Sequence, residues 1–431
     1  MKIERYQAYK DSAVKWLGDV PEHWALQRLK DIAQITRGAI LRPVDDPLYF
    51  DKNGEWYYLN ISDATKCDKF LYTAKLKLSD LGSRKSARVL PDNIILTASA
   101  TIGKPTINKV KVCVHDGFIP FKQIKCNIFY LYYFLLNSNI YTALGKSNTQ
   151  KNIYLDEIKT VNIAVPPLTE QKSIAHYLDT KTAQIDRTIE ILTQKATLYS
   201  NLKQSLINET VTRGLDKSVP MRDSGIEWLG EVPEHWKVDK IKRITNVKRG
   251  ASPRPIDDPK YFDDVNGKYG WVRIEDVTRS SKYLLKTKEK LSSLGASKSV
   301  KMKPDTIFLS IAGSVGKPII TKINCCIHDG FVYFWGLKQN SDFMFYVFNC
   351  INIYAGIGKI GTQLNLNTEI VGGINIPIPP LCEQKEIADY LDTKTAQIDQ
   401  IIQTINTQIE KLKELRKTLI NDVVTGKIKV V

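Results

Sequence analysis

Tyr177-Leu178-Asp179-Thr180-Lys181-Thr182-Ala183-Gln184-Ile185-Asp186 (YLDTKTAQID) recurs without a change as Tyr390 to Asp399, at an offset of 399 − 186 = 213. Around it, both copies read as long helices. In the first, apolar residues fall at Leu178, Ile185, Ile189, Leu192, Ala196, Tyr199 and Leu206; in the second, at Leu391, Ile398, Ile402, Ile405, Ile409, Leu412 and Leu419. Steps that alternate three and four mark a coiled-coil seam, with polar breaks at Thr182 and Lys203 matched by Thr395 and Arg416. Pro166-Pro167 and Pro379-Pro380 close a preceding strand. Glu170 and Glu383 stand in the first turn, where the helix dipole favours an anion, and Gly214 and Gly426 follow the last turn. Cys382 stands where the first copy has Thr169, so a threonine N-cap is not shared by the two helix starts.

A helix of roughly 40 residues is about 60 Å long, too long for one buried element of a compact domain, and needs a partner. A second copy of the chain is one candidate. The preferred one is the other helix of the same chain, which gives an antiparallel, pseudo-twofold pair with a globular unit at each end. The length of 431 residues also calls for two large domains rather than one core.

Composition narrows the partners. Lys plus Arg total 62 against 46 acidic residues, a net charge of +16, which favours a polyanion such as nucleic acid over a merely solvated basic surface. The seven cysteines show no C-x-x-C spacing, so neither a disulfide frame nor a zinc site is expected, and a reducing cytoplasm fits. The apolar runs Phe129 to Leu136 and Phe343 to Cys350 are too short to span a bilayer, and no membrane role is expected.

The repeat extends well beyond the helices. Trp16-Leu-Gly-Asp-Val-Pro-Glu-His-Trp24 opens one unit and Trp228-Leu-Gly-Glu-Val-Pro-Glu-His-Trp236 the other. Arg37-Gly38 then matches Arg249-Gly250, Ile61-Ser62-Asp63 matches Ile274-Glu275-Asp276, and His115-Asp116-Gly117-Phe118 matches His328-Asp329-Gly330-Phe331. Runs such as Asn93 to Ala98 and Val110 to Val114 predict short strands, Asn127 to Leu144 a single buried helix, and Leu215 to Gly225 a polar connector. Each unit is mixed, so the expected class is α+β with tandem repeats. The expected bounds are 1–165 and 215–378 for the globular units, the latter with its linker, and 166–214 and 379–431 for the helices, the latter with its tail.

Pro166-Pro167-Leu168-x-Glu170-Gln171-x-x-Ile174-Ala175-x-x-Leu178-Asp179, present twice, together with W-L-G-x-V-P-E-H-W before each globular unit, resembles the specificity subunit of type I restriction-modification systems over essentially the whole chain. Thr149-Gln150 and Thr362-Gln363 match the T-Q position of that family. The resemblance implies two target recognition domains, each reading one half of a split asymmetric site in double-stranded DNA. It further implies that the helices space them and dock methyltransferase subunits, two in number, with restriction and translocase subunits joining through the complex. Methyl donor, ATP and magnesium would then belong to those partners, and this chain would carry no cofactor and no catalytic residue.

Motifs with catalytic overtones are weak. Gly356-x-Gly358-x-x-Gly361 lacks the strand before and the helix after that a dinucleotide site needs. Ala312 to Pro318 ends in proline where a phosphate loop requires a hydroxyl. His115-Asp116 and His328-Asp329 have no nucleophile or metal-ligand set at readable spacing. An N-P-P-Y-type loop for a flipped base is missing from the sequence. An interaction scaffold and a self-sufficient methyltransferase remain as alternatives.

The two copies sort the candidates for DNA contact. Basic residues kept in both serve any sequence and suit phosphates: Arg37 and Arg249, Arg42 and Arg254, Lys85 and Lys298, Lys104 and Lys317, Lys146 and Lys359. Base readers belong where the copies differ: Ser62 against Glu275, Lys66 against Arg279, Arg84 against Ser297, Ser99 against Ala312, and Asn148 against Gly361. Gln150 and Gln363, of the T-Q pairs, join the base-reading set.

Overall fold

The computed structural model describes residues 4–144, 152–355, 359–360, 363–364 and 366–430, with the backbone alone at 351, 359–360 and 363–364. The chain divides into two compact units, one made of residues 1–192 and 407–431 and the other of residues 193–406. Each unit therefore takes in a globular repeat, part of its own long helix and part of the other.

In the first unit a five-stranded sheet runs in the order Gln34–Ile35, Phe118–Lys122, Asn93–Thr97, Pro105–Asn108, Phe70–Leu71. It is antiparallel except at the Phe70 edge, where Ile107 and Phe70 pair in parallel. A four-stranded sheet takes the order Leu76–Leu78, Trp56–Leu59, Val112–Val114, Ala87–Val89. Ile94 to Thr97 are all buried, so the central strand has cover on both faces and reads as a continuous apolar run rather than an alternating one. The second unit repeats both orders, with Asn246–Arg249, Phe331–Trp335, Thr306–Ser310, Pro318–Thr321, Tyr283–Leu284 in one sheet and Glu289–Leu291, Tyr269–Val272, Cys325–Ile327, Val300–Met302 in the other.

Two expectations change in detail. The run Asn127 to Leu144 is two helices, Ile128–Leu136 and Ser138–Ala143. Asn137 breaks it, because its side chain accepts from Asn139 N at 3.1 Å and donates to Asn421 Oδ1 at 3.0 Å, bonds that compete with the helical ladder. The polar stretch after the first long helix is not all loop either, since Met221–Asp223 pairs antiparallel with Glu231–Pro233.

The long helices are Leu168–Arg213, 46 residues, and Leu381–Val424, 44 residues. Gln171 N donates to Pro167 O at 2.9 Å and Gln384 N to Pro380 O at 3.0 Å, so each ladder starts on the second proline, and Thr169 and Cys382 lie inside the first turn rather than at the cap. Gly214 (φ +74°) and Gly426 (φ +75°) end the helices in the left-handed conformation that a Cβ disfavours.

The repeated signatures dock each helix on its globular unit. Glu170, 7 % exposed, accepts from Trp24 Nε1 at 3.1 Å and from Tyr6 OH at 2.6 Å, and bonds His23 Nε2 at 2.9 Å. Glu383 holds Trp236 Nε1 at 2.8 Å and His235 Nε2 at 2.9 Å. Gln171 accepts from Asn127 N and Gln384 from Asn340 N, at 2.7 and 2.9 Å, which ties the helix start to the cap of an apolar core helix. Asp179 pairs with Lys69 and accepts from Tyr133 OH, while Asp392 pairs with Lys282 and accepts from Tyr346 OH.

Within each unit the helix segments run antiparallel. In the first, the end of the second helix comes to the start of the first: Tyr130 OH donates to Ala164 O at 2.5 Å and also approaches Val424 O at 3.2 Å. Leu178, Leu391, Ile398 and Ile405 are buried and Ile185, Ile189, Leu192 and Ile402 half-buried, so the seam faces inward as its spacing predicts. The polar breaks also have partners. The hydroxyls of Thr182 and Thr395 lie 3.2 Å from those of Tyr133 and Tyr346, Arg416 pairs with Asp186 at 2.9 Å, and Lys203 pairs with Asp399 at 2.6 Å.

Candidate nucleic-acid interface

Residues far apart in the chain converge where strands end. In the first unit, the short helix Ile61–Lys66 follows the strand Trp56–Leu59, and the hairpin between Asn93–Thr97 and Pro105–Asn108 carries Ser99 to Lys104. Asp63 accepts from Asn60 N at 3.2 Å and fixes the helix start, and Ala64, 1 % exposed, buries its inner side. The Thr65 and Thr101 hydroxyls lie 3.3 Å apart, and Lys104 Nζ donates to Thr65 O at 2.6 Å and to Cys67 O, so helix and hairpin are joined. Arg37 Nε donates to Asp116 O at 3.2 Å, and Ser86 Oγ to Ala39 O at 3.1 Å, which brings the Arg37 segment and the end of the Asp80–Lys85 helix to the same edge.

The second unit builds the same edge with different chemistry at the surface. Asp276 accepts from Arg273 N at 2.9 Å, Val277 is fully buried, the Thr278 and Ser314 hydroxyls lie 2.8 Å apart, and Lys317 Nζ donates to Thr278 O at 3.1 Å. Arg249 Nε donates to Asp329 O at 2.5 Å, and the Asp329 carboxylate takes Ser252 Oγ at 2.8 Å and Arg254 at 3.0 Å. Those contacts, the serine hydroxyl first, hold the Asp329 carboxyl below its usual range.

The candidates fall into separate environments. Arg37, Arg42, Lys85, Arg249, Arg254 and Lys298 are exposed, with Lys85 Nζ 3.1 Å from Tyr49 OH. Lys104 and Lys317 are half-buried, and burial pushes both ammonium pKa values down. Among the base-reading candidates, Ser62, Lys66, Glu275, Arg279, Arg84 and Ser297 are exposed; Arg84 pairs with Asp80 at 2.6 Å and Arg279 with Glu275 at 3.4 Å. Ser99 is half-buried beside Gly117. Lys146, Asn148 and Gln150 lie outside the described residues, as does Gly361, and of Lys359 and Gln363 only the backbone is described, in a two-stranded pair.

Sequence reasoning singled out Asp116 and Asp329 and favoured a structural role without naming their arginine partners, the Asp116 main-chain carbonyl on Arg37 and the Asp329 carbonyl and carboxylate on Arg249 and Arg254. It overlooked Thr65 and Thr278 as links between helix and hairpin. The threonines occupy matching places in both copies, inside the stretch that already pairs Ser62 with Glu275 and Lys66 with Arg279, and their identity in both copies was the signal. The histidines shape turns: Gly117 N donates to His115 Nδ1 at 3.0 Å and Gly330 N to His328 Nδ1 at 2.8 Å. Burial pushes both imidazole pKa values down. Among the described residues there is no cluster of three or more potential metal ligands, and no helix is long and apolar enough to cross a membrane.

A family model described as the type I restriction modification DNA specificity domain matches the chain twice, over residues 21–197 and 233–411. The chain belongs to this family. Its relatives include a protein named as the specificity subunit of the type I restriction enzyme MjaX of Methanocaldococcus jannaschii, 27% identical over 98% of both chains. The StySPI specificity subunit of Salmonella potsdam is 23% identical over 95% of this chain and 90% of that one. Among solved structures, a chain from a study of type I complex assembly and conformational transition aligns with a TM-score of 0.74 at 15% identity, over 94% of this chain and 98% of that one. The HsdS subunit of Thermoanaerobacter tengcongensis aligns at 0.54 and 16% identity, over 95% and 98%. The type I specificity fold thus extends over both repeats and both long helices.

Proposed function

We propose that this chain is the sequence-reading subunit of a type I restriction-modification complex, each globular unit reading one half of a split, asymmetric site in double-stranded DNA. The observation that carries this reading is the division inside the repeat: the positions that build the strand-end edge are kept, while exposed positions on it differ between copies. Two equal scaffolds with unequal surfaces suit two different half-sites. A net charge of +16 suits the polyanion.

The paired helices set the gap between half-sites and dock two methyltransferase subunits, through which restriction subunits join. The chain itself is non-catalytic; methyl donor, ATP and magnesium belong to those partners, and the assembly works in the cytoplasm. The test is to sequence methylated positions in the host genome with and without this chain. Methylation confined to a two-part motif with a fixed gap, lost when the chain is deleted, supports the reading. Motif methylation that persists without the chain, or methyl transfer by the purified chain alone, refutes it.

A further inference from the structure

The short helices Ile61–Lys66 and Ile274–Arg279 share a burial pattern except at the cap aspartate, half-buried as Asp63 and buried as Asp276, and have different outer faces. Ser62, Thr65 and Lys66 are exposed in one, and Glu275, Thr278 and Arg279 in the other. Spacing of three and four residues places each trio on one side of its helix. Behind that side nearly everything is kept: the Asp63 or Asp276 cap, the buried Ala64 or Val277, the threonine beside the hairpin hydroxyl, and a lysine on the carbonyls of the helix end.

We propose that these two helices are the base-reading elements of their units, and that Lys104 and Lys317 are positioning residues that lock them to the hairpin rather than ligands of DNA phosphate. This rests on the DNA-reading function proposed above. A helix of this size enters a major groove about 12 Å wide. The outer faces have the chemistry for it: Arg279 offers a fork to guanine O6 and N7, Glu275 accepts from the cytosine amino group, and Ser62 and Lys66 present a different set. A concavity of about 530 Å³ lined in part by Arg279, Lys286 and Lys288 borders the second helix end and supplies the positive surroundings a duplex requires. Lys104 gives two of its three ammonium donors to main-chain carbonyls and Lys317 gives one, and both side chains are half-buried, which holds each ammonium against the helix end; the lowered pKa values have the same origin in burial.

Two variants of the full chain, assembled with its methyltransferase subunits, test this by selection from duplexes with randomised half-sites. In Ser62→Glu/Lys66→Arg, which alters only exposed side chains, the first half-site should change at about one to three base positions while the second stays as it was. An unchanged first half-site overturns the assignment of the helix. In Lys317→Met, the ratio of matched to mismatched binding at the second half-site should fall roughly tenfold with the salt dependence unchanged, and Lys317→Arg should recover part of it. If instead the ratio holds and the logarithmic salt slope drops by about one, Lys317 is a phosphate ligand. Failure of the broader reading looks different: the unaltered complex would then select no sequence at all.

Discussion

Glu170 is nearly buried, yet three donors from the opening motif and the N-terminal segment surround its two oxygens. Truncation would leave the Trp24 indole N–H, fully buried, without an acceptor, at a cost of about 1–3 kcal/mol. Glu170→Ala should therefore lower the urea midpoint clearly, and Trp24→Phe on top of it should add less than it does alone, since both remove one bond. A strictly additive pair would mean that the bond contributes nothing. The half-buried histidines His115 and His328 give a pH dependence of known sign. Their pKa values lie below the ordinary one because burial disfavours the imidazolium, with Asp116 and Asp329 opposing. The native state thus holds fewer protons than the unfolded chain, so this contribution is complete above about pH 6.5 and is lost as pH falls through that value toward the folded pKa. Melting temperature should drop between pH 7.5 and 5.5 more steeply in the native protein than in His115→Gln/His328→Gln; equal slopes would show that these turns do not sense protons.

A buried seam makes the helices the most predictable elements and the most vulnerable. Ile405 is 4 % exposed, so Ile405→Asp should destabilise the second unit by a few kcal/mol, with Ile402→Asp, at a half-buried position, costing less. Equal melting curves for both variants would mean the seam is misplaced by its spacing. That spacing was readable because a helical face repeats every few residues and needs nothing distant to define it. Strand order was not: Ile107 finds Phe70 and Val112 finds Tyr57 across long stretches of chain that carry no local signal of each pairing. Asn137 hid its helix break for the same reason, since Asn421, its partner, lies at the other end of the sequence. At the candidate interface, comparing two copies separated exposed Ser62 and Glu275 from kept Asp63 and Asp276. It could not tell a lysine kept for phosphate from one kept for the carbonyls of Thr65 and Thr278, because both uses conserve the same side chain.

Taken whole, the molecule does not divide at the boundary of its repeat. The core of the first unit includes Ile420, Val423 and Val424 from the end of the second helix, packed with Leu178, Trp24 and Tyr130. That of the second includes Ile207 and Val211 from the end of the first helix. A chain cut after Gly214 keeps one full repeat yet loses the segment that closes its own core. Residues 1–214 expressed alone should accordingly self-associate or be insoluble, and co-expression with residues 215–431 should restore a soluble one-to-one complex. Sedimentation of 1–214 as a stable monomer would contradict this account of the core.

Cys382, in the first turn of the second long helix, is exposed, whereas Cys113, Cys325, Cys326 and Cys350 are buried and Cys67 and Cys126 half-buried. Burial pushes the thiols of Cys113, Cys325 and Cys350 up to about 12 and those of Cys126 and Cys326 to about 11, and raises that of Cys67. The thiolate is the nucleophile, so an electrophilic dye offered at neutral pH goes to Cys382 first. The label lands one residue ahead of the carboxylate that holds Trp236, an indole able to quench it. The protein can in this way be stained at one place without engineering, and the brightness of the stain reads whether the second helix stays seated.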